Sequence, residues 1–544
     1  MSGDITIGTV RGWKPSTLEQ AAAQMRTHRD ALVSLDDELG GGAPPDDWTG
    51  AAAESAGEVH AKIRQATRNL TAEVAAARTA TIEAVDAIEA VQKSLAETED
   101  LAKANGFSIK DDGSVTDSDP PQDVPADQIE AVRQERTAIR DEVTSRLGEI
   151  LRRAADIDED LAGVLGKARK DELEGSGSLE NSADIGAAEG GLSTLKPPAS
   201  DDPAANAAWW DSLSEQERQE ILEHHPDWVG NLDGVPAEIR DQANRERLET
   251  ERERLEEEIA ELEAALDDNF FGGTFSEADE RLEDAKAELE ALETTEQTLE
   301  QGDRQLLLFD LSGEVPRAAV ANGDVDNADH VAVLTPGMNS GVVESLENKD
   351  AEMHALRQEA QDQAAQYGDG GSVATVTWVG YDSPNAASVL GDGSAEEGGQ
   401  ALADFYTGIN ASRTEDPNLT ALGHSYGGVT TEYALMQENT GVDNTVLFGT
   451  PGHAVEDADQ LQVPDGSVYT LSAEGWDGDW IEGYGQGPSP RGDIEGTTEL
   501  SAEADGARDL QETDGHSDYM TEDTTSQYNM GAIVSGNSDR IVEK

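Results

Sequence analysis

The sequence predicts an α/β domain, a mostly parallel sheet with helices on both faces, preceded by an all-α helical hairpin and a coiled-coil hairpin. Three observations point there. After Gln305, short apolar or β-branched runs alternate with helix-like segments and loops, as parallel strands and their crossover helices do. The front third carries apolar residues at helical spacing, and its run from Ala51 to Ala104 has no proline and scarcely any glycine; between the two regions leucines recur in steps of seven, four and three.

Taken in order, Pro15 to Glu38 has helical periodicity, with Ser16 or Thr17 and Glu19 as capping residues and Gly40 to Gly42 as the stop. Pro44-Pro-Asp-Asp-Trp-Thr-Gly50 is a turn, and the Ala-rich run from Ala51 to Ala104 is a second long helix. Two helices joined by a Trp-x-Gly turn make an antiparallel hairpin. At Trp48 and Gly50, with long flanking helices, this region resembles the WXG-type hairpins associated with type VII secretion in actinobacteria. The resemblance implies a helical WXG-type partner or self-association. The family's Tyr-x-x-x-acid export tail has no counterpart after the second helix, because the first tyrosine of the chain is Tyr367. A Trp-x-Gly turn also has a plainer role, a hydrophobic plug closing the hairpin.

Ser108 to Asp127 reads as a polar loop, and Gln128 to Leu173 as a helix with the stripe Ile129, Val132, Ile139, Val143, Leu147 and Ile150. Glu172 to Asn206 has the Gly, Ser, Ala and Pro content of a flexible linker. Leu248, Leu255, Ile259, Leu262 and Leu266, then Leu282, Leu289, Leu292 and Leu299, place two coiled-coil helices around the turn Asn269-Phe-Phe-Gly-Gly273. The expected organisation is a helical WXG-like domain (1–171), a linker (172–206), lead-in helices with the coiled-coil hairpin (207–300) and a catalytic α/β domain (301–544). Expected strands are Leu306–Phe309, His330–Thr335, Val373–Trp378, Leu419–Leu422, Thr445–Phe448 and Ser467–Leu471.

Composition narrows the chemistry. With 38 Lys+Arg against 114 Asp+Glu, a net charge of −76, binding to a phosphate backbone is disfavoured and no nucleic-acid partner is expected. The absence of cysteine removes thiolate nucleophiles, disulfides and Cys-ligated zinc. His224-His225 lacks an H-E-x-x-H arrangement and the acidic Asn322 to Asp329 loop lacks EF-hand spacing. Neither a metal nor any other cofactor is expected. No apolar run is long enough to span a bilayer, and the start MSGDITIGTVRGWK lacks an apolar run after its basic residues, so no signal peptide is expected. The expected location is cytoplasmic, or secreted by a non-classical, type VII-like route.

Gly423-His-Ser-Tyr-Gly427 sits between an apolar run ending at Leu422 and a helical pattern of Val429, Tyr433 and Met436. That context fits a nucleophile elbow, in which a strained strand-to-helix turn lifts the Ser425 hydroxyl above the sheet and the two glycines let strand and helix approach. A serine alcohol needs an imidazole base, and the imidazole needs a carboxylate, in the chain order Ser, acid, His. Of the histidines after Ser425, His453 directly follows a strand and precedes any plausible acid, whereas His516 is near the C-terminus. His516 is the expected base. Glu474, Asp477 and Asp479 follow the Ser467–Leu471 strand as candidate acids. For the oxyanion hole, Tyr426 supplies one N–H and the Thr335-Pro-Gly-Met-Asn-Ser-Gly341 loop the other, with Met338 first and Asn339 next.

These motifs together resemble an actinobacterial group of α/β-hydrolases, long described as a domain of unknown function. The shared features are Pro336-Gly-Met338, Trp378-Val-Gly-Tyr-Asp-Ser-Pro384, the Gly423 to Gly427 elbow, Gly449-Thr-Pro-Gly452 and His516-Ser-Asp-Tyr519. The Trp209 to Arg245 segment matches the family's lead-in, so the likeness runs from about residue 205 to 530. In the family an apolar residue follows the acid and a Gly-Pro-x-Pro stretch comes soon after. Asp479-Trp-Ile481 and Gly487-Pro-Ser-Pro490 fit that pattern, so the resemblance implies Asp479, with Asp477 as the alternative acid. Gly428 stands where serine is common among relatives. The expected function is a serine hydrolase cleaving an ester or related acyl bond of a small-molecule substrate. The competing expectation is a secretion-linked interaction or effector protein with a secondary or degenerate hydrolase domain.

Overall fold

A computed structural model describes residues 5–122, 124–125, 129–268, 277–313, 315–368, 370–384, 393–450, 452–473 and 494–544. The chain forms two compact units, residues 1–199 with 208–220, and residues 200–207 with 221–544.

The first unit begins with α1 (Ile7–Gly12), α2 (Pro15–Val33) and α3 (Asp36–Gly41), then α4 (Ala51–Ala104), a helix of 54 residues. Ala72, Ala76, Ala80 and Ala84 of α4 are buried, and such small side chains let neighbouring helices approach closely. Helix α2 and the residues after it run antiparallel to α4: the Thr81 hydroxyl reaches Met25 Sδ at 3.9 Å, and His60 Nε2 donates to the Leu39 carbonyl at 2.6 Å. Trp48 does not plug this hairpin; its side chain is 48% exposed. Where a polar loop is expected after α4, β1 (Phe107–Ile109) and β2 (Val115–Asp117) pair as an antiparallel hairpin. Helix α5 (Ile129–Arg169) buries Val143, Leu147, Ile150 and Ile157 against Ala84, Ile88, Val91 and Leu95 of α4. Ile129, the first residue of the expected stripe, is exposed.

The Gly- and Ser-rich composition of 172–206 predicts a flexible linker, but this stretch contains α6 (Leu179–Glu189), capped by the Ser178 hydroxyl. Its small residues serve contact with α4. A Cβ on Gly186 or Gly190 would run into the backbone of Ala72 or Ala76, so the composition of a linker here reflects close helix packing.

Next come α7 (Pro203–Asp211) and α8 (Glu215–His224), then α9 (Ala237–Asp268) and α10 (Glu277–Leu299). Leu248 and Leu255 of α9 are buried in one cluster with Leu292 and Leu299 of α10. Ion pairs Arg252–Glu296, Arg254–Glu288, Arg281–Glu258 and Lys286–Glu263 fix an antiparallel pair. The expected glycine turn at 269–273 lies outside the described residues.

The sheet of the second unit contains β3 (Arg304–Asp310), β4 (Arg317–Asn322), β5 (His330–Thr335), β6 (Val373–Val379), β7 (Asn418–His424), β8 (Asn444–Phe448), β9 (Val468–Leu471) and β10 (Thr498–Leu500). Its order is β10-β9-β8-β7-β5-β6-β4-β3. Strands β5 to β10 run parallel, and the β3–β4 hairpin adds an antiparallel edge. Helices α11 (Val342–Tyr367) and α14 (Thr525–Val534) cover one face through Met353, Leu356, Met530 and Ile533. The opposite face is covered by α12 (Gly393–Ala411) and α13 (Tyr426–Leu435) through Leu402, Phe405, Tyr406 and Val429. Cover on both sides explains why β5 and β6 are buried at every position. This is the α/β hydrolase fold. Among the described residues no helix is long and apolar enough to cross a membrane.

From β5 the chain goes to β6 on one side and then to β7 on the other. Such a reversal opens a crevice at the carboxyl ends of the two flanking strands, β5 and β7, the usual place for a ligand in an open α/β sheet.

Candidate active site

Strand β7 ends at His424, and Ser425 forms the turn into α13 with φ 54° and ψ −126°. That conformation is unfavourable for any residue with a Cβ. Close packing holds it: a Cβ on Gly423 would lie 2.7 Å from Gly428 Cα, and one on Gly427 would strike the Thr335 carbonyl oxygen. The Ser425 N–H donates to the Phe448 carbonyl at 3.0 Å, extending the β7–β8 ladder into the turn. Tyr426 opens α13, so its N–H belongs to the positive end of the helix dipole.

The loop after β5 closes over the same point. Thr335 pairs in register with Gly423, and a Cβ on Gly337 would lie 2.7 Å from Ser425 Cβ. Two N–H groups of this loop are committed, Asn339 to the Pro384 carbonyl at 3.2 Å and Ser340 to the Ser383 hydroxyl at 3.0 Å. Tyr381 donates its buried hydroxyl to the Pro336 carbonyl at 2.8 Å. The Trp378 to Pro384 stretch thus buttresses the Pro336-Gly-Met338 loop. Asn339 is held by Pro384, whereas no hydrogen bond from the Met338 N–H to a described residue is present.

His516 arrives from the loop before α14, and its Nε2 stands 3.0 Å from Ser425 Oγ. Gly449 makes room for the ring: its φ is +58°, and a Cβ there would sit 3.1 Å from His516 Nδ1. Burial, and then the charge of Lys349, hold the His516 imidazolium below its ordinary pKa, so the neutral, proton-accepting form is favoured. His453 is engaged elsewhere, with Nδ1 2.6 Å from the fully buried Glu432 of α13, whose other oxygen accepts the Ala454 N–H. Asp479, Asp477 and Glu474 lie outside the described residues. Among the described residues no group of three or more His, Asp or Glu side chains is arranged to hold a metal ion.

Two residues with a place in this site have no assigned role in the motif pattern. His424, directly before Ser425, points its Nε2 at the His516 carbonyl oxygen at 2.9 Å and stacks on Phe448 with ring centroids 5.0 Å apart. Tyr519, three residues after His516, accepts the Ala473 N–H at 3.0 Å. The signal for both is present in the motifs themselves, a histidine inside the elbow and a tyrosine closing His516-Ser-Asp-Tyr519.

The fold agrees with the sequence comparisons. The family model described as alpha/beta hydrolase matches residues 312–485, and the chain belongs to the alpha/beta hydrolase family. Uncharacterized protein Mb0988c of Mycobacterium bovis is 35% identical over 204 residues, covering 36% of this chain and 76% of its own length. Uncharacterized protein Rv2079 of Mycobacterium tuberculosis is 27% identical over 389 residues, covering 64% of this chain. The chain spans only 57% of the length of Rv2079. No solved structure matches the chain significantly.

Proposed function

We propose that the protein is a serine hydrolase that cleaves an ester or related acyl bond of a small-molecule substrate. The observation that carries this reading is the 3.0 Å approach of His516 Nε2 to Ser425 Oγ on a strained strand-to-helix turn. His516 takes the Ser425 proton as Oγ bonds to the acyl carbon. The Tyr426 and Met338 N–H groups hold the resulting oxyanion. Collapse breaks the bond to the leaving alcohol, which receives the proton from His516, and water repeats the sequence to free the acid. Asp479, or Asp477 in its place, orients the imidazole.

The test is labelling with a fluorophosphonate, followed by a panel of chromogenic acyl esters. Wild-type protein should label at Ser425 and turn over at least one ester; Ser425→Ala should not label and should lose about 10⁴-fold or more in kcat. Folded wild-type protein that stays unlabelled would overturn the reading.

One observation favours a second role for the helical unit. Trp48, Val59 and Ile63 of the helical unit are large apolar residues left about half exposed. In this reading residues 1–171 bind a helical WXG-type partner or a second copy as part of a secretion-linked function. Pull-down with Trp48→Ala and Ile63→Ser variants, with esterase activity unchanged, would separate it from the hydrolase reading.

A further inference from the structure

The geometry points to His424 as a positioning residue for His516. The elbow that presents Ser425 also donates, through the His424 Nε2–H, a hydrogen bond to the backbone of the histidine that would activate it. This rests on the hydrolase reading above.

The tautomer follows from the partner. A carbonyl oxygen only accepts, so the 2.9 Å contact between His424 Nε2 and the His516 oxygen requires the proton on Nε2. The ring has little freedom to turn away. It is buried, stacked on Phe448 at 5.0 Å, next to the His516 ring at 4.9 Å and edge-on to Tyr519 at 6.2 Å. Burial, with smaller contributions from the charges of Lys349 and His516, drops its pKa to about 3. The donor is therefore neutral across the working range of a serine hydrolase and adds no positive charge beside the imidazolium that forms on His516.

The contact spans 92 residues of chain, and the loop it holds has no regular secondary structure around Gly515 and His516. Tyr519 extends the clamp: its ring packs edge-on to Phe448, and its oxygen accepts the N–H of Ala473, where the chain leaves β9 toward the candidate acids. One buried aromatic group thus ties together the nucleophile turn, the histidine loop and the start of the acid segment. An imidazole misplaced by a fraction of an ångström loses rate while substrate binding is spared.

The experiment compares full-length wild type with His424→Phe, which keeps a flat ring and removes the donor, and His424→Gln, which keeps an N–H at similar reach. Fluorophosphonate labelling rate, kcat and KM on the best ester, and hydrogen exchange of the 514–519 amides are measured. The expected result for His424→Phe is a fall of about 10- to 100-fold in labelling rate and kcat, with KM little changed and faster exchange of 514–519. His424→Gln should recover most of each. Should the Phe variant not fold, His424→Met, also without a donor, replaces it.

Equal rates and equal exchange in wild type and the donorless variant would overturn the proposal, as would equal losses for that variant and His424→Gln. If wild type itself never labels, the hydrolase reading fails separately, and exchange of 514–519 still decides whether the clamp exists.

Discussion

At the scale of single residues, the depressed pKa of His424 has a measurable consequence for stability. In the unfolded chain a histidine protonates near pH 6.5, whereas the buried ring takes a proton only near pH 3. Between those values the unfolded state binds the extra proton, so stability is lost as pH falls through this window and the ring contributes no penalty above it. The full difference is on the order of 5 kcal/mol. Urea unfolding of wild type and His424→Gln from pH 7 to pH 4 should differ by this slope, the wild type losing ground to the variant as pH falls; parallel curves would remove the buried, neutral ring from the explanation. The closeness of Ser425 and His516 is foreshadowed in the sequence, because the serine sits in a Gly-x-Ser-x-Gly turn between an apolar run and a helical pattern and His516 is the late histidine. His424 is not, because its role exists only once a loop 92 residues away folds over it. The expected acid narrows to a short segment and no further, since carboxylates are abundant in this chain and loop spacing does not rank them.

Among the elements, the central strands are readable because cover on both faces makes them continuous runs of apolar and β-branched residues, as in β5 and β6. Strand β4, Arg-Ala-Ala-Val-Ala-Asn, escapes notice because its alanines carry no strand preference, and β10 because it has three residues. Helix α6 shows the opposite failure. Glycine and serine lower helix propensity and suggest a linker, yet at Gly186 and Gly190 they are what allows contact with the α4 backbone. Gly186→Leu should therefore raise intrinsic helix propensity and still destabilise the first unit, by about 1–3 kcal/mol for overpacking. Thermal unfolding followed by circular dichroism checks the sign. A more stable variant would mean that α6 does not dock on α4.

For the molecule as a whole, charge weighs heavily against the folded state. A net charge of −76 opposes compaction, and the ion pairs between α9 and α10 offset only a local part of it. Raising sodium chloride from about 0.05 M to about 1 M shortens the Debye length from roughly 14 Å to 3 Å, so the melting midpoint should rise; a flat or falling midpoint would show that self-repulsion does not limit stability. The backbone angles of Ser425 act in the other direction from anything salt can cure. Glycine occupies that region freely, and replacing the serine with it releases on the order of 1–3 kcal/mol, less the entropy glycine adds to the unfolded chain. A disarmed glycine variant should then outlast the working protein on a heat block. If the proposed hydrolase reading holds, ranking preparations or engineered libraries by melting point alone would favour molecules that have lost the Ser425 alcohol.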